Sequence, residues 1–418
     1  MSVSKLQEWI GEKQGSSWHA YVKRLSANDT GLTGGHGAGI YIPHEFSRLA
    51  FPSIFTNDEA NPSVICQGQV QSHDLPSQYL RVIYYNSKRS ENKRNGRDEQ
   101  RITRWKQGVE YAPLQDPDNT GALTIVAFEK NVAGFDTDYL HIWMCDNTEE
   151  EDYLEGLIGE VLPTVTVFQP FTTLIGGTHF VHPGPSEELS LPEEWGVNFP
   201  TGKQISDYVA TAYPYSGISP DKRLLKRYED EYRVFRTVES CHVMPLIGNG
   251  FQSVSSFISL ANSVGNRRKS RAGRSLELHL ERIFIEEGLT RFATQVKTEG
   301  NKRPDFLFPD GESYYDGNFP DSRLNMLAVK TTLKDRWRQV INEADRIRVK
   351  YLFTLQEGIS ENQFRELSAA GIRLVVPKSI RKRFPPGPRS EILSLGEFIC
   401  KMKSLQVDQP ARNSSPCR

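Results

Sequence analysis

The pattern of apolar residues changes near residue 190, and this change limits what the chain can fold into. Before it, apolar and polar residues alternate over short runs, as expected of half-buried strands; the runs are 63–70, 79–85, 121–128 and 139–144. After it, long helical periods cover 221–238 and 253–288. The sequence therefore predicts a β-barrel-like N-terminal domain followed by an α/β domain.

The boundary between these two patterns has the composition of a hinge. Gly, Pro and Ser replace both periodicities from Gly176 to Pro192. We place the first domain at 1–177, the linker at 178–192 and the second domain at 193–418. With 418 residues, each domain is long enough to bury its own core.

Short elements fill the second domain and the end of the first. The strands that we predict in the second domain are 305–308, 325–330, 350–354 and 372–376, with helices at 337–347 and 361–370.

In the first domain a helix begins with Thr148 as its N-cap, and four acidic residues, 149–152, follow. We interpret this acidic run as stabilising the positive end of the helix rather than as catalytic.

Charge is distributed unevenly between the two parts. The net charge of the whole chain is −1, but residues 1–190 carry 15 Lys and Arg against 25 Asp and Glu, and residues 191–418 carry 36 against 27. A basic half indicates a polyanionic partner, with nucleic acid the leading candidate. We further hypothesise that the acidic half covers the basic half in the resting protein.

Several classes of protein are disfavoured by what the sequence contains. Its five cysteines are scattered, with no CxxC pair, which argues against a disulfide framework and a structural zinc site. The nucleotide-binding, zinc-protease and serine-hydrolase motifs have no match. There is no apolar run of membrane-spanning length and no export segment, so we expect a cytoplasmic protein without a membrane partner.

Two carboxylates and a lysine of the second domain form a candidate catalytic set. Asp305 opens a strand, Lys330 ends the apolar run MLAVK, and Glu343 lies on the next predicted helix. Hydrolysis of a phosphodiester needs carboxylates that hold Mg²⁺ and a cation near the attacking water. Asp305 and Glu343 are the expected metal ligands, and Glu277 lies on a helix that can present a further carboxylate.

Two groups of charged residues are candidates for DNA contact. Lys334, Asp335 and Arg336 supply a donor, an acceptor and a donor that can read G·C pairs in a major groove, although a solvated helix turn would look the same. A basic cluster precedes Glu277 and is interpreted as clamping the DNA backbone rather than as a solvated helix face; it consists of Arg267, Arg268, Lys269, Arg271 and Arg274.

Long matched words carry a resemblance to a known family. The words LSANDTGLTGGHGAG (25–39), RITRW (101–105), LQDPDNTGAL (114–123), ANSVGNRRKSRAGRSLELHL (261–280), TEGNKRPDFLF (298–308) and LAVKTTLKDRWRQVINEAD (327–345) resemble the EcoRII restriction endonucleases. The likeness runs in order from near residue 20 to about residue 400. It is far more specific than the spacing of Asp305, Lys330 and Glu343 alone.

The resemblance implies a Type IIE endonuclease, a Mg²⁺-dependent homodimer that cuts double-stranded DNA at a CCWGG-type site and needs a second copy of that site as effector. It implies an N-terminal effector DNA-binding domain with a B3-like pseudobarrel and a C-terminal PD-(D/E)xK nuclease domain. The usual acid two residues before the lysine is Ala328 here, and the family's helix-borne acid matches Glu343. Glu277 would tune the site, and a cognate DNA methyltransferase would be the functional counterpart.

The same resemblance assigns residues to DNA. Lys334, Asp335 and Arg336 match the family's readers of the C·G pairs. The residues that match its effector-binding loops are His36, Tyr41, Arg97, Glu99, Arg101, Arg104 and Trp105. Independently of the family, the stretch 88–106 holds eight basic residues against three acidic ones, which suits phosphate contact.

Two other interpretations remain open at this point. One is a sequence-specific DNA-binding regulator with an inactive nuclease fold, which would have no reason to keep Asp305, Lys330 and Glu343 together. The other is a strand-transfer enzyme with a nucleophilic tyrosine, Tyr314 or Tyr315, which would form a covalent adduct with DNA.

Overall fold

A computed structural model describes most of the chain. The described residues are 2–13, 15–34, 39–56, 59–86, 99–131, 134–163, 166–171, 191–213 and 215–406; the side chains of Val254 and Asp335 also lie outside the description. The predicted combination of a barrel-like N-terminal part and an α/β C-terminal part is confirmed. Most of the proposed linker, 178–190, lies outside the described residues.

A single eight-stranded sheet organises the N-terminal part. Its strands are β1 (Trp18–Arg24), β2 (Ile40–Ile42), β3 (Ser63–Val70), β4 (Gln78–Tyr85), β5 (Glu99–Thr103), β6 (Leu123–Glu129), β7 (Tyr139–Met144) and β8 (Thr166–Pro170). They lie in the order β2-β5-β4-β3-β7-β6-β1-β8, and all neighbours are antiparallel except β3 and β7. The helices are α1 (Ser2–Gly11), α2 (His44–Ala50) and α3 (Thr148–Ile158).

The two faces of this sheet bury separate apolar clusters. One cluster includes Tyr21, Phe46 and Phe128, and the other packs α1 and α3 around Trp9 and Trp143. Helix α3 begins at Thr148, one residue earlier than predicted, and its N-cap is Asn147, whose Oδ1 accepts a hydrogen bond from the amide of Glu150. The side chain of Thr148 is therefore not the cap.

A five-stranded sheet organises the C-terminal part. Its strands are β9 (Ala293–Thr294), β10 (Phe306–Phe308), β11 (Asn325–Val329), β12 (Lys350–Phe353) and β13 (Ile372–Val375), in the order β13-β12-β11-β10-β9. Strands β11, β12 and β13 are parallel, and β9, β10 and β11 are antiparallel. Every residue of β11 is buried, which explains its continuous apolar run.

Helices flank this second sheet. They are α4 (Gly202–Ala212), α5 (Pro220–Gly248), α6 (Val254–Glu286), α7 (Gly311–Tyr315), α8 (Trp337–Ile341), α9 (Glu361–Ala369), α10 (Lys378–Arg381), α11 (Pro386–Arg389) and α12 (Leu395–Gln406). The long helices α5 and α6 pack against each other as a hairpin. The N-terminal half of α5 and the C-terminal half of α6 belong to the same apolar cluster as the sheet core. No helix in the described ranges is long and apolar enough to cross a membrane.

One predicted helix is wrong over half its length. Helix α8 ends at Ile341 instead of Ile347, because Asn342 stops it and Ala344 adopts a left-handed backbone with φ of +47°. Glu343 therefore lies in the turn after the helix and not on the helix itself. Its amide still donates to the carbonyl of Val340, at 3.1 Å.

Candidate active site

The antiparallel pair β10 and β11 brings Asp305 and Lys330 to one edge of the C-terminal sheet. Asp305 directly precedes β10 and Lys330 directly follows β11, and the two strands pair with Phe306 opposite Leu327. Oδ2 of Asp305 accepts a hydrogen bond from the amide of Val329 at 2.7 Å. This bond fixes the carboxylate one residue from the lysine.

A glutamine joins Asp305 to the carboxylate that α6 supplies. Nε2 of Gln295 lies 3.2 Å from Oδ1 of Asp305 and 3.3 Å from Oε2 of Glu277, so it donates to both. The backbone of Gln295 has a φ of +53°, a left-handed conformation that residues other than glycine rarely adopt. The sequence analysis did not identify Gln295, since a lone glutamine carries no motif.

Glu343 is partly buried at the same place. Burial, followed by the nearby charge of Asp305, raises the pKa of the Glu343 carboxyl to about 7, and Lys330 acts in the opposite direction. Its Oε2 atom is buried and has no hydrogen-bond partner among the described residues. The turn after α8 thus directs a carboxylate toward Asp305 without a local partner for one of its oxygens.

Glu277 is in a similar electrostatic environment. Burial and then the charge of Asp305 raise the pKa of its carboxyl to about 7, while Arg274, 3.8 Å away, and Lys330 lower it. Asp305 therefore acts on both glutamates. The structure brings together all four residues that the sequence proposed as catalytic.

This arrangement suits chemistry on a phosphodiester. Three carboxylates interact electrostatically around one lysine, and such a site gains stability from a bound cation. Within the described ranges there is no group of three or more His, Cys, Asp or Glu positioned to hold a metal ion. A site of two carboxylates remains compatible with Mg²⁺, which usually keeps several of its waters.

Two of the proposed base-reading residues contact the N-terminal part. Residues 334–336 form a short 3-10 helix, and Nζ of Lys334 donates to the carbonyl of Cys145 at 2.6 Å and lies 3.3 Å from Oε1 of Glu151. Nη2 of Arg336 lies 2.6 Å from Oδ1 of Asp152. The side chain of Asp335 lies outside the described residues.

The acidic run of α3 therefore does more than stabilise the end of a helix. Glu151 is fully buried and binds Arg24 within its own domain as well as Lys334. Burial opposes ionisation, but Arg24 and Lys334 hold the pKa of the Glu151 carboxyl below its usual value. The interpretation of the run as capping alone is incomplete, because local sequence does not reveal a partner 183 residues away.

A cleft of about 400 Å³ lies between α3 and the candidate catalytic residues. Glu277, Lys330 and Arg336 line it from the C-terminal part, and Asp152 and Glu155 line it from the N-terminal part. This volume is that of a small-ligand pocket and cannot hold a DNA duplex. In this conformation α3 occupies the approach to the candidate active site.

Two residues of the basic cluster ahead of Glu277 form buried ion pairs. Arg268 binds Glu239 through Nη2 at 2.7 Å, and Arg271 binds both Glu231 and Glu160, all buried. Since Glu160 follows α3, Arg271 also links the two parts of the chain. The prediction that the whole cluster clamps DNA is wrong for Arg268 and Arg271 in this conformation, because buried carboxylates neutralise them.

Most residues proposed for the effector interface that the structure describes lie on or beside β5. Arg101 is largely buried and binds Glu99 at 2.7 Å, Arg104 is exposed with a φ of +71°, and Tyr41 on β2 pairs opposite Arg101. Trp105 is buried and donates to the carbonyl of Ile102 at 2.8 Å, which holds the loop in place. His36 and Arg97 lie outside the described residues.

The two tyrosines proposed as alternative nucleophiles are engaged elsewhere. The hydroxyl of Tyr314 donates to Oε1 of Glu299, and that of Tyr315 donates to the carbonyl of Lys297. Burial, together with Glu299, raises the pKa of the Tyr314 hydroxyl. The environment of Tyr314 therefore does not favour a nucleophilic phenolate.

Family models match both parts of the chain. The model described as "Restriction endonuclease EcoRII, N-terminal" matches residues 14–172, and the one described as "EcoRII C terminal" matches residues 235–399. The "Type II restriction enzyme EcoRII" of Escherichia coli is 48% identical over 410 residues, which cover 98% of this chain and 100% of that protein. The "Type II restriction enzyme SsoII" of Shigella sonnei is 30% identical over 149 residues, covering 34% of this chain and 48% of that protein.

Solved structures show more distant likenesses. A structure titled "Metal-depleted Ecl18kI in complex with uncleaved, modified DNA" covers 53% of this chain and 84% of that chain, with 19% identity and a TM-score of 0.45. The B3 domain of the UbaLAI restriction endonuclease with cognate DNA covers 41% of this chain and 99% of that chain, with 20% identity and a TM-score of 0.27. TM-scores below 0.5 support no conclusion about this chain.

Proposed function

Because the chain belongs to the EcoRII family of type II restriction endonucleases, we propose that it hydrolyses double-stranded DNA at a CCWGG-type sequence with Mg²⁺. The observation that carries this proposal is the convergence of Asp305, Lys330, Glu343 and Glu277 at one sheet edge. The products would be a 5′-phosphate and a 3′-hydroxyl. The chain would act in the cytoplasm beside a cognate DNA methyltransferase.

The residues of this edge fit the metal that the family implies. Asp305 and Glu343 are the proposed ligands, and the buried Oε2 of Glu343, without a partner among the described residues, is the kind of oxygen that a hard cation prefers. A Mg²⁺ ion held there would polarise the scissile phosphate and acidify a water. Glu277 would tune the charge of the site through Gln295 and Asp305.

The side chains of the protein contribute the remaining chemistry. Lys330 positions or deprotonates the attacking water and stabilises the negative charge that develops on the phosphate. The hydrogen bond from the amide of Val329 holds Asp305 in a fixed orientation, so the carboxylate is already placed when DNA arrives. Lys334, Asp335 and Arg336 would read the C·G pairs in the major groove.

Contacts between the two parts support activation by a second DNA site. Lys334 and Arg336 cannot bind DNA bases while Glu151 and Asp152 hold them, and the cleft is too small for a duplex. We propose that residues 1–177 form an effector DNA-binding domain, that 178–192 form the linker and that 193–418 form the nuclease. DNA bound near β5 would then release α3 from the nuclease.

The proposed enzyme is a homodimer, since cutting both strands of a nearly symmetric site needs two catalytic centres. The second candidate function is a DNA-binding regulator with an inactive nuclease fold. The retained lysine and carboxylates argue against it, because a protein that only binds DNA gains nothing from a buried glutamate with a raised pKa.

Cleavage of a plasmid with two CCWGG sites tests the proposal. We expect cutting with Mg²⁺, no cutting with EDTA, and a loss of at least about 100-fold in Lys330→Ala with specific DNA binding retained. Lys203→Ala, which removes an exposed lysine on α4, is the matched control and should cut normally. Tight specific binding without any cutting by the unaltered chain would instead establish the regulator.

A further inference from the structure

The segment that follows β12 is buried although it carries polar side chains. All residues of 351–360 are buried. Among them, Thr354, Gln356, Glu357 and Ser360 have polar or charged side chains. Buried polar groups are stable only where hydrogen bonds satisfy them, so the partners of these side chains show what the segment holds in place.

Gln356 holds the main chain directly ahead of the proposed base readers. Its Oε1 atom accepts a hydrogen bond from the amide of Leu333 at 2.8 Å. Because the Gln356 side chain is only 3% exposed, loss of this bond would leave a buried amide without a partner. The carbonyl of Leu333 accepts from the amide of Arg336 at 2.8 Å. Gln356 therefore fixes the start of the 3-10 turn 334–336, which we call the reading turn.

The reading turn needs this support because its backbone is strained. Its first residue, Lys334, has a φ of +22°, which costs energy in any residue that carries a side chain. Strain of this kind persists only where surrounding contacts determine the conformation. The bond from Leu333 to Gln356 is such a contact, and it lies directly before the strained residue.

Thr354 extends the same support toward Lys330. Its Oγ1 donates to the carbonyl of Thr331 at 3.0 Å, and the amide of Leu355 donates to that carbonyl at 3.2 Å. The amide of Lys330 donates to the carbonyl of Phe353 at 3.0 Å. The end of β12 and the segment after it thus hold the chain that leads from the lysine to the reading turn.

The amide group of Gln356 has a single orientation because each of its atoms is used. Nε2 donates to the carbonyl of Thr120 at 3.1 Å and to that of Gly358 at 2.9 Å. Gly121 of the N-terminal part packs against it: a Cβ placed on Gly121 would lie 2.9 Å from Cδ of Gln356. The oxygen is thereby directed at the amide of Leu333.

We propose that Gln356 is a positioning residue that sets how strictly the nuclease discriminates between its own site and similar sites. Acting through Leu333, it fixes the main chain from which Lys334 and Arg336 read bases. Contacts to base edges need donors in fixed places, so a reading turn that moves loses contacts to the correct site. A site with a wrong base lacks those contacts already, so its cleavage changes less. This inference rests on the proposed function and adds a residue that controls specificity.

Cleavage of two short DNA substrates tests this inference. The full chain is activated by a saturating CCWGG oligonucleotide, and the substrate carries either CCWGG or the same site with one C·G pair replaced. Gln356→Met keeps the length of the side chain and removes its hydrogen bonds. We expect the ratio of kcat/KM between the two substrates to shrink by at least about 10-fold. The change should affect KM more than kcat, because Lys330 keeps its own bond to β12.

Misfolding of the variant would give a different result. A smaller active fraction lowers kcat in proportion and leaves KM and the ratio between substrates unchanged. Thr354→Val, which removes the hydroxyl bond to Thr331, should shrink the ratio in the same direction but by less. Hydrogen exchange at the amide of Leu333 reports without any cleavage, and it should be at least about 10-fold faster in Gln356→Met.

Gln363→Glu is the matched control. Gln363 also donates to a carbonyl of the N-terminal part, that of Asp118, at 2.9 Å. Its Oε1 accepts from the amide of Ser360, the N-cap of α9. Glutamate keeps this acceptor and loses the donor to Asp118, so the variant weakens the contact with the N-terminal part and leaves the bond to Leu333 intact. Its ratio between the two substrates should equal that of the unaltered chain.

The possible outcomes separate this inference from the proposed function. A ratio that shrinks in Gln356→Met and not in Gln363→Glu supports the inference. An unchanged ratio or unchanged exchange at Leu333 in folded Gln356→Met, or an equal change in the control, overturns it and leaves the proposed nuclease intact. An unaltered chain that cuts neither substrate contradicts the proposed function, and the inference about specificity fails with it.

Discussion

Asp152 of α3 and Arg336 of the C-terminal part lie 184 residues apart in the chain and form an ion pair of 2.6 Å between Oδ1 and Nη2. Arg336 is a proposed base reader, so this contact places an acidic side chain where a guanine edge would bind. Lys334 is held in the same way by Glu151, at 3.3 Å. The acidic excess of the first half thus meets the basic excess of the second at the residues proposed to read DNA.

Weakening this ion pair should raise cleavage of DNA that has a single site. In Asp152→Asn we expect an increase of up to about five-fold, because a partly exposed ion pair contributes at most about 1 kcal/mol to the closed form. The initial rate of linearisation of a one-site plasmid measures it. Asp207→Asn, which breaks an exposed pair with Lys203, should change nothing, and an unchanged rate in Asp152→Asn would contradict the proposed inhibition.

Removing Arg104 should weaken effector binding without affecting the catalytic edge. Arg104→Gln deletes an exposed positive charge beside β5, so we expect weaker binding and a dependence of log K on log salt that is smaller by about 1. Activation by an added CCWGG oligonucleotide should then need a higher oligonucleotide concentration. Lys130→Gln, which removes one positive charge directly after β6, is the control. An equal loss of oligonucleotide binding in both variants would indicate a non-specific charge effect.

The substitution Glu343→Gln should abolish cleavage and stabilise the fold. The surroundings of Glu343 oppose its negative charge, chiefly through burial and Asp305, and an amide of the same shape avoids this cost. We expect a gain on the order of 1 kcal/mol in the free energy of unfolding at pH 8, measured with urea. The control Glu366→Gln, at an exposed position on α9, should change the free energy of unfolding little. If Glu343→Gln is instead less stable than the unaltered protein, the carboxylate of Glu343 stabilises the fold and the prediction is wrong.

Acidification should destabilise the protein through His279. Burial, with the charges of Arg271 and Arg227, lowers the pKa of this imidazole from 6.5 to about 3, and its Nδ1 lies 3.3 Å from Oγ of Ser206. The folded state binds the proton less readily than the unfolded state, so the stabilisation is complete above pH 6.5. It is lost as the pH falls toward 3, by up to about 1.4 kcal/mol per pH unit.

The variant His279→Asn isolates this contribution. It lacks the titrating group but keeps a polar side chain near Ser206, so its free energy of unfolding should depend less steeply on pH between 6 and 4.5. Urea unfolding at several pH values measures the slope. Identical slopes in the two proteins would exclude His279 as the source of the pH dependence. A difference in the free energy of unfolding that stays constant above pH 7.5 would reflect only the change in packing.

Local pattern was sufficient for much of the fold and for the choice of candidate residues that the structure brings together. Strands β3 and β7 have the predicted limits, and β11 ends one residue before its predicted end, because alternation or a continuous apolar run reports directly how each residue is buried. Asp305, Lys330, Glu343 and Glu277 were proposed from chemistry and family resemblance. That Asp305 and Lys330 meet at one edge required the pairing of β10 with β11.

Other features depended on contacts between distant segments. The sequence by itself determined the two kinds of domain, the opposite charges of the two halves and the residue types of the candidate catalytic set. Only the tertiary structure decided that Glu343 lies in a turn, that Gln295 bridges two carboxylates, and that α3 covers Lys334 and Arg336. The physical reason is the distance in sequence over which each signal acts. Hydrophobic periodicity reports the burial of residues that are neighbours in the chain. The sequence around a charged side chain is the same whether that side chain is solvated or paired with a distant residue.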